Sequence, residues 1–392
     1  MPLPLYLLAM AVFAMGTSEF MLAGLLPDIA SDLDVTVRTA GALTSAFAIG
    51  MIVGAPLVAA TARNWPRRAG LVWFVLVFTA AHAVGAITTS FPILFATRVV
   101  AALANAGFLA VALTAAATLV PPDRKGRALA VLLSGTTVAT IAGVPGGSVL
   151  GTLLGWRAAF WAVAALCLPA TLGILKGIPA GRGEDEVTGR PALRAELAQL
   201  TRPRLILVML LGALVNAATF GSLTFLAPVV TDSAGLGQLW ISVALVLFGA
   251  GSFAGVTVAG RLSDRRPGLV IAVGGPLLLI GWPALAVLAD EPVALFILVF
   301  VQGALSFALG GTLITRVLYE AAGAPTMAGS YATAALNVGA AAGPVIAAAG
   351  LTTEAGTLGP LWTSGLLVAV ALLIAFPLLT AITAARSTEV PR

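Results

Sequence analysis

The chain has 392 residues, of which 59% are hydrophobic and 9% charged, with a mean hydropathy of +1.05. A water-soluble chain of that length would expose apolar surface everywhere, so the composition excludes a soluble enzyme or binding module and points to a bilayer. The net charge of +5 does not indicate a nucleic-acid partner, because the basic residues sit in short connections between apolar runs. The single cysteine, Cys167, cannot build a disulfide framework or a cysteine metal cluster within one chain.

A bilayer core about 30 Å thick takes roughly 20 apolar residues per helix, which gives room for about twelve spans. Apolar runs lie at roughly 4–26, 40–61, 69–88, 92–119, 127–151 and 157–177, then 205–231, 238–260, 268–289, 292–315, 326–351 and 360–385. The first run has no charged n-region and no clear A-x-A cleavage site, so it reads as a span and not as a cleaved signal peptide. It is uncharged from Pro4 to Pro27 apart from Glu19. A lone carboxylate at that depth costs a few kcal/mol, and its uses are a proton site, an ion site or a buried pair.

With the N-terminus inside, the cytoplasmic connections collect Arg63, Arg67, Arg68, Arg124, Lys125, Arg127, Arg261, Arg265, Arg266 and Arg316. The opposite side receives Arg38 and Arg157 among the acidic Asp28, Asp32, Asp34, Asp232, Asp290, Glu291 and Glu354. This is the basic bias of cytoplasmic loops, and an even number of spans returns the C-terminus to the same side. The expected location is a bacterial inner membrane, crossed many times, with both termini cytoplasmic.

The stretch Gly177–Arg204 is the one long polar interruption. Its Pro, Gly and mixed charges suit a cytoplasmic linker with a short amphipathic helix over Pro191–Leu200. The expected organisation is therefore a six-helix bundle at 1–177, a linker at 178–204 and a second six-helix bundle at 205–392. The halves repeat each other. A shift of 201 places Pro27 on Pro228, Gly50 on Gly251, Gly54 on Gly255, and "AATARNWP" from Ala59 on "GRLSDRRP" from Gly260. Parallel repeats of this kind put a substrate site between bundles near the midplane and make rocking the natural motion.

In the fifth span Gly135, Ala139, Gly143, Gly147 and Gly151 recur every fourth residue, a smooth face on which another backbone can approach closely, and Pro145 adds a bend point. Two readings stand: ordinary helix packing, or a sliding interface between the halves. Ala335, Gly339, Gly343 and Ala347 form a comparable face in the eleventh span.

Glu19 lies seven residues from the outer end of its span and Arg98 seven from the outer end of the fourth, so both sit roughly 10 Å deep at 1.5 Å per residue. Equal depth permits contact, and two readings follow: Glu19 couples transport to a proton, or the two form a static buried pair. Asn105, two turns beyond Arg98, lines the same cavity in this reading. His82, near the outer end of the third span, reads as a packing or interfacial residue more readily than as a proton relay. The repeat-related positions of Glu19 and Arg98 are Phe220 and Val299, which assigns proton handling to the first bundle. The second offers Asn216, Phe220, Phe225, Gln302, Phe307 and Asn337, a set suited to an aromatic, partly polar solute, each with helix packing as its plainer role. With no P-loop, no His/Cys metal cluster and no nucleophile motif, neither an ATP-driven pump nor a membrane enzyme is supported, and no cofactor or metal is expected.

The chain resembles the major facilitator superfamily, and within it the twelve-helix drug:proton antiporters. The family's loop signature begins after the eighth span as Gly260, Leu262, Asp264 and Arg265, with Pro267 at its later glycine. After the second span Ala59, Thr61 and Arg63 replace its glycine, leucine and acidic residue, and Arg67 and Arg68 remain. The antiporter signature of the fifth span is present as "GTTVATIAGVPGGSVLG", and Arg98 opens the fourth-span motif, whose last two positions are Ala101 and Ala102; Gln302 and Gly303 carry that missing pair in the tenth span. The segments "GTSEFMLAGLLPDIA", "RVVAALANAGFLAVAL" and "GWRAAFW" are similar to actinobacterial chloramphenicol exporters. The resemblance implies an all-α fold of twelve transmembrane helices in two pseudo-symmetric bundles. It also implies a conformational switch at Gly143, Pro145, Gly147, Gly151, Gly260, Asp264 and Arg265, and export of a small amphipathic drug, chloramphenicol, against proton entry by a monomer, conferring resistance. The alternative is a sugar or metabolite exporter of the same superfamily.

Overall fold

In the computed structural model the described residues are 1–22, 25–35, 37–61, 65–178, 192–237, 239–265 and 267–376, and all of their regular structure is helical. The long helices are α1 (Leu3–Met21), α2 (Val37–Thr61), α3 (Arg67–Ile87), α4 (Phe91–Thr118), α5 (Lys125–Leu154), α6 (Trp156–Gly177), α7 (Pro203–Thr224), α8 (Leu239–Arg265), α9 (Pro267–Val287), α10 (Pro292–Glu320), α11 (Ala328–Gly350) and α12 (Gly359–Ala375). Ten of them, α3 to α12, are long and apolar enough to cross a bilayer, and α1 and α2 hold the shorter apolar stretches Leu3–Glu19 and Ala42–Val58. The expected all-α polytopic membrane fold is the one found.

Local chemistry sets the ends. Proline occupies the first or second position of α1, α4, α7 and α12, where its missing N–H costs nothing and its fixed φ suits a helix start. Gly155, at φ 81°, makes the turn from α5 into α6, a conformation open mainly to glycine. The first and seventh spans are shorter than the apolar runs. Helix α1 stops at Met21 and Pro27 falls in a separate helix, Leu26–Asp32; likewise α7 stops at Thr224, ahead of the short helix Leu226–Pro228. The repeat-related Pro27 and Pro228 fall in the short helices that follow these two breaks, so both halves are interrupted at the same point.

The chain forms two compact units. The N-terminal unit comprises residues 1–122, 131–199 and 321–337, and the C-terminal unit residues 123–130, 200–320 and 338–392. In the first, α1 packs on α6, α2 on α4, α3 on α4 and α3 on α6. In the second, α7 packs on α12, α8 on α10, α9 on α10 and α9 on α12. The pairings are identical after adding six to each helix number, so the internal repeat of the sequence is a repeat of packing. Helix surfaces divide into small buried residues such as Ala102, Ala106 and Ala116, all fully buried, and lipid-facing ones such as Leu153 and Leu373, 73% and 74% exposed. Small residues bring helices close where lipid leaves no hydrophobic drive for association.

The glycine faces have definite partners. A Cβ at Gly135 would meet the Ala9 carbonyl, at Gly147 it would stand 2.7 Å from Met21 Cβ, and at Gly151 2.5 Å from Leu25 Cδ2. The α5 face therefore packs on α1 and the segment after it, inside the N-terminal unit. In the C-terminal unit Gly339 and Gly343 of α11 abut the carbonyls of Ala213 and Ala217 on α7, the same arrangement one repeat later. These contacts show close helix packing within each unit.

In the linker, Leu193–Leu197 is helical and continues as a 3-10 turn to Thr201, while residues 179–191 lie outside the described residues. Glu196 is fully buried. Its Oε2 accepts hydrogen bonds from Thr326 N (3.0 Å), Thr326 Oγ1 (2.6 Å) and Met327 N (3.1 Å), and its carbonyl accepts one from Tyr331 Oη (2.9 Å). A carboxylate thus caps the start of α11, where free N–H groups and the helix dipole favour an anion. Arg63, Arg266 and, by their side chains, Pro145, Asp264 and Arg265 also lie outside the described residues.

Candidate functional site

The N-terminal unit buries one arginine completely. Arg98 of α4 is 1% exposed, and its guanidinium lies 4.5 Å over the ring of Phe47 from α2. Nη1 donates to Ser18 Oγ at 2.6 Å and Nη2 to the Ser18 carbonyl at 3.3 Å. Ser18 Oγ is in turn 2.6 Å from His82 Nε2, and His82 Nδ1 is 2.8 Å from the Phe78 carbonyl. That carbonyl can only accept, so Nδ1 carries the imidazole proton, Nε2 accepts from the Ser18 hydroxyl, and the Ser18 oxygen accepts from Arg98. Phe78 and Phe160 flank the imidazole at centroid distances of 4.2 and 5.6 Å. The result is a directed chain from α4 through α1 to α3.

Glu19 is the next residue after the one that takes Arg98. It is partly buried, and among the described residues it forms no ion pair with Arg98. Ser18 occupies the guanidinium instead. Asn105, buried on α4, makes no side-chain hydrogen bond among the described residues. Towards the end of the unit, Arg157 Nη1 pairs with Asp32 Oδ2 at 2.6 Å, and Arg157 Nη2 holds the Thr88 carbonyl at 3.0 Å.

In the C-terminal unit Gln302 is fully buried. Its Nε2 donates to the Leu278 carbonyl at 3.2 Å, and its amide fits against Gly281, where a Cβ would collide with it. It lines a small cavity with Ser222, Leu223, Leu226, Phe248, Trp282, Leu285 and Val299. Gln302 Oε1, Trp282 Nε1 and Ser222 Oγ have no hydrogen-bond partner among the described residues. Phe307 contacts Phe248 edge-on at 6.2 Å. Asn216, Phe220 and Phe225 are partly buried; Asn337, expected in the second bundle, falls in the N-terminal unit, where its Nδ2 donates to its own helix at Thr333 O, 2.9 Å. None of these four lines the Gln302 cavity. Gly260 of α8 rests on the start of α5, where a Cβ would strike Ala130 Cβ.

The residues that sequence reasoning passed over are Ser18, Phe47, Ser222, Trp282 and, in its hydrogen-bonded role, His82. For His82 a signal existed: six residues from the outer end of its span, it shares the depth of Glu19 and Arg98.

Residues 8–335 match the family model of the Major Facilitator Superfamily. The chain is 79% identical over its full 392 residues, and over all of the relative, to a "Chloramphenicol resistance protein" of Streptomyces lividans. It is 33% identical over 352 residues, 89% of this chain and 90% of the relative, to "Inner membrane transport protein YdhP" of Escherichia coli strain K12. Among solved structures, the transporter FucP in its outward conformation is similar with a TM-score of 0.74 at 15% identity, covering 95% of this chain and 98% of that one. The human organic anion transporter MFSD10 gives 0.73 at 18%, covering 95% and 97%. With its paired helix arrangement, its internal repeat and these matches, the chain belongs to the major facilitator superfamily.

Proposed function

We propose that the chain exports chloramphenicol across a bacterial inner membrane by alternating access, driven by proton entry through Glu19, and so confers resistance. The observation that carries the substrate is the 79% identity over the whole of both chains to a chloramphenicol resistance protein, which leaves little sequence in which a different cavity could arise. Proton coupling is supported by a carboxylate inside α1, next in sequence to the serine that receives the buried Arg98 and not ion-paired with that cation among the described residues. One proton entering down 100 mV releases about 2.3 kcal/mol, enough to hold an uncharged drug at roughly a fifty-fold gradient if one exchanges for one. The basic bias of one set of loops supports cytoplasmic termini. Asn105, Asn216, Phe220, Phe225, Gln302, Phe307 and Asn337 are the proposed substrate contacts. Gly143, Pro145, Gly147, Gly151, Gly260, Asp264 and Arg265 are the proposed switch, the close packing at Gly147, Gly151 and Gly260 being what a change of state must preserve or break.

The test is Glu19→Gln in purified protein and in proteoliposomes. The substitution keeps size and hydrogen bonding and removes the titratable charge. The variant should bind chloramphenicol, release no proton on binding, and fail to concentrate the drug under a pH gradient. Uphill export at the wild-type rate by the folded variant would assign the coupling elsewhere.

A further inference from the structure

The buried cation of the N-terminal unit is held by a serine and not by the carboxylate next to that serine. Ser18 has one proton to give, and His82 Nε2 at 2.6 Å takes it, which turns the Ser18 oxygen into a fixed acceptor for Arg98 Nη1 at 2.6 Å. His82 is locked in turn by Nδ1 on the Phe78 carbonyl and by rings on both sides. The donor of each hydrogen bond in the chain is thereby assigned by its partner, while Arg98 Nε has no partner among the described residues. We propose that Ser18 and His82 are positioning residues that hold Arg98 away from Glu19, leaving the carboxylate free to take up and release the proton of the transport cycle.

The inference rests on the coupling role of Glu19. Among the described residues the titratable neighbours are few: Glu19 on α1, Arg98 on α4, and the buried Cys167 of α6; α2 contributes Phe47. If the Ser18 hydroxyl, or the His82 that fixes it, is removed, Arg98 Nη1 loses its fixed acceptor while Nη2 keeps the Ser18 carbonyl at 3.3 Å, and the guanidinium is free to turn to the carboxylate next to that serine, Glu19. An adjacent cation favours the ionised carboxylate, so proton uptake then needs a more acidic solution. A chain that fixes Arg98 is thus a device that sets the working pH of the exporter.

The experiment measures chloramphenicol-dependent proton release from purified protein as a function of pH, together with the infrared band of the protonated carboxyl group. Ser18→Ala should move both midpoints to lower pH by about one unit, a tenfold rise in the proton concentration required. His82→Phe, which removes both imidazole contacts, should move them the same way, and gives the same answer should Ser18→Ala not fold. His82→Gln restores an acceptor for Ser18 and a donor for Phe78 and should bring the midpoints back. Lower thermal stability with unmoved midpoints would make the chain merely structural. A His82→Gln variant as defective as His82→Phe would make His82 a proton carrier. Either result overturns the proposal. Glu19→Gln separates it from the reading beneath it: proton release persisting in that variant removes the coupling role, whereas its loss there with an unmoved Ser18→Ala midpoint removes only the anchoring role.

Discussion

Gly147→Ala tests the dependence of the site on close packing, because it adds one methyl group where α5 presses on α1. The new Cβ would stand 2.7 Å from Met21 Cβ, 3.1 Å from Met21 Cα and 3.2 Å from the Met21 carbonyl. Carbon atoms settle at about 3.5–4.0 Å, so α1 must withdraw by about 1 Å, and overpacking of this kind costs about 1–3 kcal/mol. Met21 lies one turn from Ser18, whose Oγ receives Arg98 at 2.6 Å. A displacement of about 1 Å stretches that contact past hydrogen-bond range. The substitution should therefore lower the thermal unfolding midpoint of the detergent-purified protein by a few degrees and also impair drug-dependent proton release. Leu153→Ile, on the same helix at a position 73% exposed to lipid, should change stability by less than about 0.5 kcal/mol. Wild-type unfolding and wild-type proton release in Gly147→Ala would refute the claim that this face positions α1.

Glu196→Ala leaves the Thr326 hydroxyl and N–H without their acceptor, and Met327 N–H with only the Ala324 carbonyl, and should cost about 2 kcal/mol, read as a drop in unfolding temperature; an unchanged midpoint would deny the capping role. Gly260→Leu drives a side chain into Ala130 and the Gly126 carbonyl, and should abolish transport in proteoliposomes while drug binding by the folded fraction is measured separately. Single-cysteine labels in the central linker should react only from the cytoplasm and labels beside Asp32 only from outside, and reversed accessibility would overturn the orientation.

Span number and span position were legible because a bilayer demands long apolar runs, and the repeat was legible because its prolines and glycines recur at one offset. Helix pairing was not legible. In a membrane the lipid face and the packed face of a helix are both apolar, so periodicity does not say which side of α9 or α12 is inside. Depth put Glu19 and Arg98 level, but depth does not fix rotation. One residue turns a helix by about 100°, and that turn presents Ser18 to Arg98 in place of Glu19. The glycine faces were visible as faces, while their partners, α1 for α5 and α7 for α11, depended on the folded backbone. Gln302 was visible as a buried amide, but its union with Ser222 and Trp282 needs three helices to be placed.

The repeat offset carries Phe47 to Phe248, Arg98 to Val299 and Asn105 to Ser306. Phe248 and Val299 line the small cavity of the C-terminal unit with Ser222, Trp282 and Gln302, so that cavity occupies the place in its unit that the Arg98 knot occupies in the other. One copy of the site holds a cation and the other holds uncharged amide, indole and hydroxyl groups. A buried guanidinium carries a penalty of several kcal/mol unless hydrogen bonds and a counter-charge offset it, and the first copy supplies these through Ser18, the Phe47 ring and the nearby Glu19. The second copy needs no counter-charge, which is why Phe220 can stand where Glu19 stands in the first.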